Sequence, residues 1–264
     1  MEPIRLVVHG ALGKVGREVV NAVCQEPGMK LVGAVDLKAS TDYLPLPDGS
    51  GRVPISASLS DILSKCPTDV LVDFTIAKAT MPAARAAAKQ GINLVIGTTG
   101  LTAEELKEIE GLSRTNKVGI VVAPNFALGA VLMMHLAKIA AKYMDYAEII
   151  ELHHHLKADA PSGTALSTAR AMAQTRGKPF SRPPESGKPS ESRGEEVEGV
   201  SIHSVRLPGL MAHQEIIFGA PGQTLSIRHD TINRECYMPG VMLAIREVVK
   251  HPGFTYGLDA LLNL

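Results

Sequence analysis

The chain has 264 residues, 45% of them hydrophobic and 20% charged, a composition that builds a packed core and excludes a disordered tail. Its 27 basic and 27 acidic residues cancel, so it lacks the basic excess that non-specific nucleic-acid binding draws on, and no nucleic-acid partner is expected. Cys24, Cys66 and Cys236 show no paired short spacing and read as reduced thiols, not as a disulfide framework or a zinc site.

Ile4-Arg5-Leu6-Val7-Val8-His9 reads as a strand. It follows Met1-Glu2-Pro3 without the basic stretch and cleavable apolar segment of a secretory signal, so a cytoplasmic location is expected. Residues 14–26 form a helical pattern with Val15, Val19, Val20 and Val23 on one side. Strands are expected at 30–35, 70–74, 93–96 and 119–122, with helices at 79–90 and 102–115. Thr102 and Glu105 have the spacing of a capping box, which fixes the start of that second helix. Nearly continuous apolar strands separated by helices indicate a doubly wound α/β unit whose parallel sheet is covered on both faces.

The rhythm changes after Asn125. A long helix over 128–143 leads to a strand over 147–153 and to a helix that begins near Ser162. Residues 177–199 are rich in Pro, Gly, Ser and Glu and read as a mobile loop. Runs at 201–205, 214–218 and 224–229 read as antiparallel strands, and 238–250 is again helical. The apolar stretch 118–134 is broken by Pro124-Asn125 and Gly129, so no spanning helix and no membrane partner are expected.

Three places carry chemistry. Gly10-Ala11-Leu12-Gly13-Lys14-Val15-Gly16 lies between the first strand and the first helix, a variant of the dinucleotide fingerprint. Glycines let the backbone approach a pyrophosphate, and the helix start offers N–H groups and a favourable dipole. Asp36 ends the second strand, where a carboxylate accepts hydrogen bonds from an adenosine ribose and repels a 2′-phosphate. Asp36 points to NADH, while Lys38 is suited to a 2′-phosphate and keeps NADPH open. Gly97-Thr98-Thr99-Gly100 and Ala123-Pro124-Asn125-Phe126 follow two further strands, at the sheet edge where ligands bind in this architecture. Either loop can equally be a routine strand-to-helix turn.

The third place is the stretch from Glu151 to Thr164, where His153-His154-His155 and Lys157 end a strand and Pro161-Ser162-Gly163-Thr164 opens a helix. If the strand persists past His153, its period of two places His153 and His155 on one face and His154 on the other. Zinc is a rival reading, but the partner spacings of zinc sites and the helical H-E-x-x-H pattern are missing, so no metal is expected. A solvated polar strand end is the plain alternative. The reading that uses all the pieces is a pocket for a small dicarboxylate, with a histidine that exchanges protons near neutral pH, a lysine, and a helix start that holds a carboxylate.

This stretch, E-L-H-H-H-L-K-A-D-A-P-S-G-T-A, resembles the signature of the 4-hydroxy-tetrahydrodipicolinate reductase family, also called the dihydrodipicolinate reductase family. The resemblance extends over essentially the whole chain and includes the glycine loop, Asp73-Phe74-Thr75, Ile96-Gly97-Thr98-Thr99-Gly100 and Pro124-Asn125-Phe126. It implies hydride reduction of the cyclic imine formed from 4-hydroxy-tetrahydrodipicolinate to tetrahydrodipicolinate, with NADH or NADPH, in lysine and diaminopimelate biosynthesis. By matching positions it implies His153 and Lys157 as proton-transferring residues, and His154, Lys157, Ser162, Gly163 and Thr164 as substrate-binding ones. Gly10, Ala11, Leu12, Gly13, Lys14, Val15, Asp36, Phe74, Thr75, Gly97, Thr98, Thr99, Ala123, Pro124, Asn125 and Phe126 would contact the coenzyme. Where some members carry an arginine suited to a 2′-phosphate, this sequence has Leu37. The implied fold is a Rossmann-like doubly wound parallel sheet plus a second α+β domain with an open mixed sheet used in homotetramer assembly. Residues 1–126 and 234–264 would form the dinucleotide-binding domain and 127–233 the substrate-binding and oligomerisation domain. Two rival functions share part of the pattern: another nicotinamide-dependent dehydrogenase, and a dinucleotide-sensing regulator whose histidines bind a metal.

Overall fold

The computed structural model describes residues 2–182, 184 and 191–264. It divides into two compact units, one built from Met1–Leu128 and Arg234–Leu264, the other from Gly129–Asn233.

In the first unit the strands are β1 (Ile4–His9), β2 (Met29–Val35), β3 (Tyr43–Pro45), β4 (Arg52–Ser56), β5 (Val70–Asp73), β6 (Asn93–Ile96), β7 (Gly119–Val122) and, late in the chain, β13 (Gly253–Tyr256). They lie in the order β13-β7-β6-β5-β1-β2-β4-β3, and every pair is parallel except β3 with β4. All four residues of β5 and of β7 are buried, which is why their sequences run apolar without alternating. Alternation still assigns the faces. Val7, Leu71, Leu94 and Ile120 pack with Ile62, Ala84, Ala87 and Ile109 of α2 (Leu59–Lys65), α3 (Ala77–Lys89) and α4 (Ala103–Asn116). The opposite face is covered by α1 (Lys14–Gln25) and α7 (Met238–Val248), and α8 (Leu258–Leu262) closes the unit.

Polar side chains set the ends of these elements. Thr102 and Glu105 form the expected capping box: the Glu105 N–H donates to Thr102 Oγ1 at 3.2 Å and the Thr102 N–H to Glu105 Oε2 at 2.7 Å. Asn93 staples three strand starts, accepting from the Gly119 N–H at 2.8 Å and donating to the Asp69 carbonyl at 3.1 Å.

The expected strands of this unit all form, within a residue of their sequence bounds. The expectation missed β3, β4 and α2 over 43–65, and β13 and α8 near the end. The pieces β3 and β4 are short and partly exposed, so they carry no apolar run long enough to read.

The second unit holds α5 (Leu128–Ala141, its first residue belonging to the first unit), β8 (Tyr146–His153), α6 (Gly163–Arg176), β9 (Glu195–Val197), β10 (Val200–Arg206), β11 (Ala212–Ala220) and β12 (Gln223–Thr231). Its sheet has the order β12-β11-β8-β10-β9. One face carries Ile149, Ile202, Ile216 and Phe218, packed against Met133, Ala137, Ala169 and Met172 of α5 and α6. The three runs expected as antiparallel strands do alternate in direction, but they are not all neighbours. β11 and β12 are an antiparallel pair, but β8 lies between β11 and β10, and β10 runs parallel to β8. Of the loop expected over 177–199, residues 183 and 185–190 lie outside the described residues, and β9 occupies part of the rest. Among the described residues no helix is long and apolar enough to cross a membrane, and no disulfide joins the cysteines.

Candidate active site

The glycine loop follows β1, the strand at which the sheet order reverses, with β2 on one side and β5 on the other. Gly10 has φ +85°, a left-handed conformation, and a Cβ there would meet the Phe74 carbonyl oxygen at 2.6 Å. At Gly16 a Cβ would meet the Gly10 carbonyl oxygen at 2.0 Å, so only glycine lets α1 start this close to the loop. Gly13 is the N-cap of α1 and supplies no side-chain cap, and neither Lys14 nor Val15 adds an acidic group to the first turn. The start of α1 is thus a set of N–H groups with a positive dipole end and no side chain on it, a cradle suited to a pyrophosphate. Asp36 accepts from the Leu12 N–H at 2.9 Å through one oxygen and from the Lys38 N–H at 2.9 Å through the other, so its carboxylate is fixed beside the loop.

The neighbouring loops are tied to this one by a buried carboxylate. Asp73, 1% exposed at the end of β5, accepts from the hydroxyls of Thr75 at 2.8 Å, Thr98 at 3.0 Å and Thr80. His9 Nδ1 lies 2.9 Å from the same carboxylate but out of line for a hydrogen bond. The Thr75 N–H donates to Thr98 Oγ1 at 2.9 Å, which locks the loop after β5 to the loop after β6. The Phe74 ring packs against Gly97, where a Cβ would clash with it at 2.1 Å, and its centroid is 5.6 Å from that of Phe126. Ala11, Thr98, Ala123 and Phe126 are buried, while Lys14, Thr99 and Pro124 are exposed. Asn125 accepts from the Ala127 N–H at 2.9 Å and shapes the turn after β7. All sixteen residues expected to contact a dinucleotide therefore sit at the carboxyl ends of five adjacent strands of the first unit.

The histidine stretch belongs to the second unit. β8 ends at His153, where the sequence expected the strand to end, so the strand does not persist to place His155 on its face. The chain instead turns, with the Lys157 N–H donating to the His154 carbonyl at 3.1 Å. His153 Nδ1 is 2.5 Å from Glu151 Oε2, two residues back on the same face of β8. Glu151 is fully buried and also accepts from Arg206 Nη1 at 2.9 Å, from Arg206 Nη2 at 2.7 Å and from the Ser162 N–H at 3.2 Å. Burial pushes the Glu151 carboxyl up, but Arg206, Ser204 and His153 more than offset it and hold it below the ordinary glutamate range. Burial pushes the His153 imidazole down; Glu151 opposes this, and Lys157 and Arg206 reinforce it, so the net shift is downward.

Ser162 caps α6, its hydroxyl accepting from the Ala165 N–H at 3.2 Å, which leaves the Gly163 and Thr164 N–H groups outside that cap. Lys157 Nζ donates to both oxygens of Asp159 at 2.7 Å, and this ammonium holds the Asp159 carboxyl below its usual range. His154 is half-buried, and among the described residues its Nδ1 has no hydrogen-bond partner. His153, Lys157 and the α6 start thus converge, with positive charge and N–H groups able to take a small dianion.

Glu151, Arg206 and Asp73 were given no role from the sequence. Glu151 was within reach of it, being two residues from His153 on one strand face. Arg206 was not, because only the register of β10 on β8 sets it beside His153. Among the described residues no group of three His, Cys, Asp or Glu side chains is placed to hold a metal ion.

Comparison with known proteins matches two family descriptions: "Dihydrodipicolinate reductase, N-terminus" over residues 4–126 and "Dihydrodipicolinate reductase, C-terminus" over residues 129–262. A 4-hydroxy-tetrahydrodipicolinate reductase of Dehalococcoides mccartyi is 60% identical over all of both chains. One from Moorella thermoacetica is 48% identical over 98% of each. Among solved structures, a dipicolinate-bound dihydrodipicolinate reductase from Paenisporosarcina sp. TG-14 superposes with a TM-score of 0.87 at 40% identity, covering 98% of this chain and 99% of that one.

Proposed function

The chain belongs to the dihydrodipicolinate reductase family, and on that premise we propose that its two units divide the reaction, the first holding a nicotinamide coenzyme and the second the substrate. The reaction is reduction of 4-hydroxy-tetrahydrodipicolinate in lysine and diaminopimelate biosynthesis, an oxidoreductase activity. The 4-hydroxyl leaves as water to give the conjugated cyclic imine, and a nicotinamide coenzyme held at the glycine loop would supply the hydride for its reduction. The loop of Gly10, Ala11, Leu12 and Gly13, with Lys14 and Val15, holds its pyrophosphate. Asp36 takes the adenosine ribose. Phe74, Thr75, Gly97, Thr98 and Thr99, with 123–126, form the slot for the nicotinamide half. The fit rests on the glycine contacts, which leave the backbone bare, and on the side-chain-free start of α1. Asp36 beside exposed Lys38 suits either NADH or NADPH.

In the second unit His154, Lys157, Ser162, Gly163 and Thr164 hold the substrate carboxylates. His153 delivers the proton that quenches the electron density left on the enamine after hydride arrives, with Lys157 assisting. The observation that carries this reading is the His153 ring itself. One nitrogen is engaged by a buried carboxylate, and beside the ring stand Lys157 and the N–H groups at the start of α6, donors suited to carboxylates. The working form is a cytoplasmic homotetramer.

The test is a coupled assay in which the substrate is made in situ from pyruvate and aspartate semialdehyde by its synthase, and NADH and NADPH absorbance are followed separately. His153→Ala should lower turnover by about 10²-fold or more while coenzyme binding survives. Unchanged turnover in that variant would remove His153 from the mechanism.

A further inference from the structure

We infer that Glu151 is the positioning residue of the proton-delivering site: its buried carboxylate, anchored by Arg206, fixes the tautomer of His153 and joins that ring to the start of α6. The inference rests on the reading of His153 given above and deepens it.

A carboxylate this buried persists only where its lone pairs are taken up. Glu151 Oε1 accepts from Arg206 Nη2 and from the Ser162 N–H, and Oε2 accepts from Arg206 Nη1 and faces His153 Nδ1. An ionised carboxylate accepts and does not donate, so the His153 nitrogen facing it must donate. Neutral His153 then carries its proton on Nδ1 and presents a lone pair at Nε2; the imidazolium presents Nε2–H, the only proton it can release without breaking the bond to Glu151. The carboxylate therefore decides which nitrogen meets the substrate.

The same pair assembles the rest of the site. The Ser162 N–H bond ties the carboxylate to the residue that caps α6, so the proton donor and the helix start share one anchor. Arg206 Nη2 also donates to the Asp159 carbonyl at 2.7 Å, which holds the turn that carries Lys157. Strand register explains how these groups meet: Arg206 lies beside His153 and Ser204 beside Glu151 in the parallel pairing of β10 with β8. On the other side β11 sets Ala212 opposite His153 and buried Gln214 opposite Glu151. The charged groups around His153 are thus Glu151 on its own strand, Arg206 on β10 and Lys157 in the following turn. Glu151 is the acidic member of that set, and Asp159 cannot replace it, being 60% exposed and paired with Lys157.

Histidine-selective ¹⁵N NMR on the full chain at neutral pH reads the tautomer directly, with His153→Ala assigning the signal. The expected signature is a neutral His153 protonated at Nδ1. Finding the proton on Nε2 overturns the inference, whether or not Glu151→Gln folds. In the assay, Glu151→Gln should lower kcat by about 10²-fold or more with the coenzyme KM unchanged. It should also move the alkaline limb of the pH profile to lower pH, because the group that raises the His153 pKa is gone; a purely structural ion pair would not produce that movement. Glu151→Asp, which keeps the carboxylate, should recover part of the loss. Wild-type kcat and pH profile in Glu151→Gln overturn the inference while leaving His153 in place. Turnover retained by His153→Ala faults the reading of His153 itself, and this inference with it.

Discussion

At the scale of single residues, burial and charge around His153 set the pH range in which its ring is protonated. The lowered pKa means that the imidazolium of the unliganded protein is populated only below the ordinary value near 6.5. If His153 delivers the proton, kcat/KM for the substrate, which at saturating coenzyme reports the coenzyme-bound protein before substrate binds, falls tenfold per pH unit above the lowered value. We expect log kcat/KM measured from pH 5 to 9 with saturating coenzyme to bend below pH 6.5, and the bend to vanish in His153→Ala. A bend above pH 7 would assign the proton to another group. The same shift has a stability consequence. A histidine whose folded pKa is depressed leaves the folded state with fewer protons than the unfolded chain, so its share of stability is complete above 6.5 and lost as pH falls toward the folded value. These consequences were half legible in the sequence. His153, Lys157 and Ser162-Gly163-Thr164 stand within twelve residues of one another, and their chemistry reads off the string. The partner that shapes them, Arg206, is 55 residues from Glu151 and enters through strand register, which no local pattern encodes.

At the scale of elements, two capped helices separate structural from functional polar groups. Thr102 caps α4 with no other duty, whereas Ser162 caps α6, is 2% exposed, and sits at the proposed carboxylate site. Thr102→Ala should cost about 1 kcal/mol of stability, read as a lowered urea midpoint, and leave kinetics unchanged. Ser162→Ala should cost a similar amount and in addition raise the substrate KM; a KM equal to wild type would place Ser162 with the purely structural caps. The capping box at Thr102 and Glu105 was legible because both partners lie within one helical turn. The order of the second sheet was not. The runs at 201–205, 214–218 and 224–229 are adjacent in sequence, so a meander is the simple reading, yet β8 inserts between β10 and β11. β8 has buried Ala147, Ile149 and Glu151 on one face, and pairing it on both sides buries that row most completely.

At the scale of the whole molecule, the sheet of the second unit differs from that of the first in what covers it. Its inner face packs on α5 and α6, while the outer face presents Tyr146, Ile150, Leu152 and Ile217 alongside ion pairs such as Arg228 with Glu215 and Glu148 with Arg193. Its edge strand β12 is nine residues long and mostly exposed, with its outer backbone groups facing away from β11. Long exposed edges and one-sided sheets invite association, and native proteins cover them. This arrangement supports the proposed homotetramer. A lysine in the apolar outer face would have to be desolvated on assembly, at a cost of several kcal/mol per copy. Ile150→Lys should therefore shift sedimentation from four protomer masses to a smaller species. Because the first unit folds around its own core, dinucleotide binding by the variant should persist. Sedimentation of the unsubstituted chain as a monomer would remove the tetramer from the proposal. Loss of dinucleotide binding in Ile150→Lys would show that the first unit depends on the assembly and not on its own packed sheet.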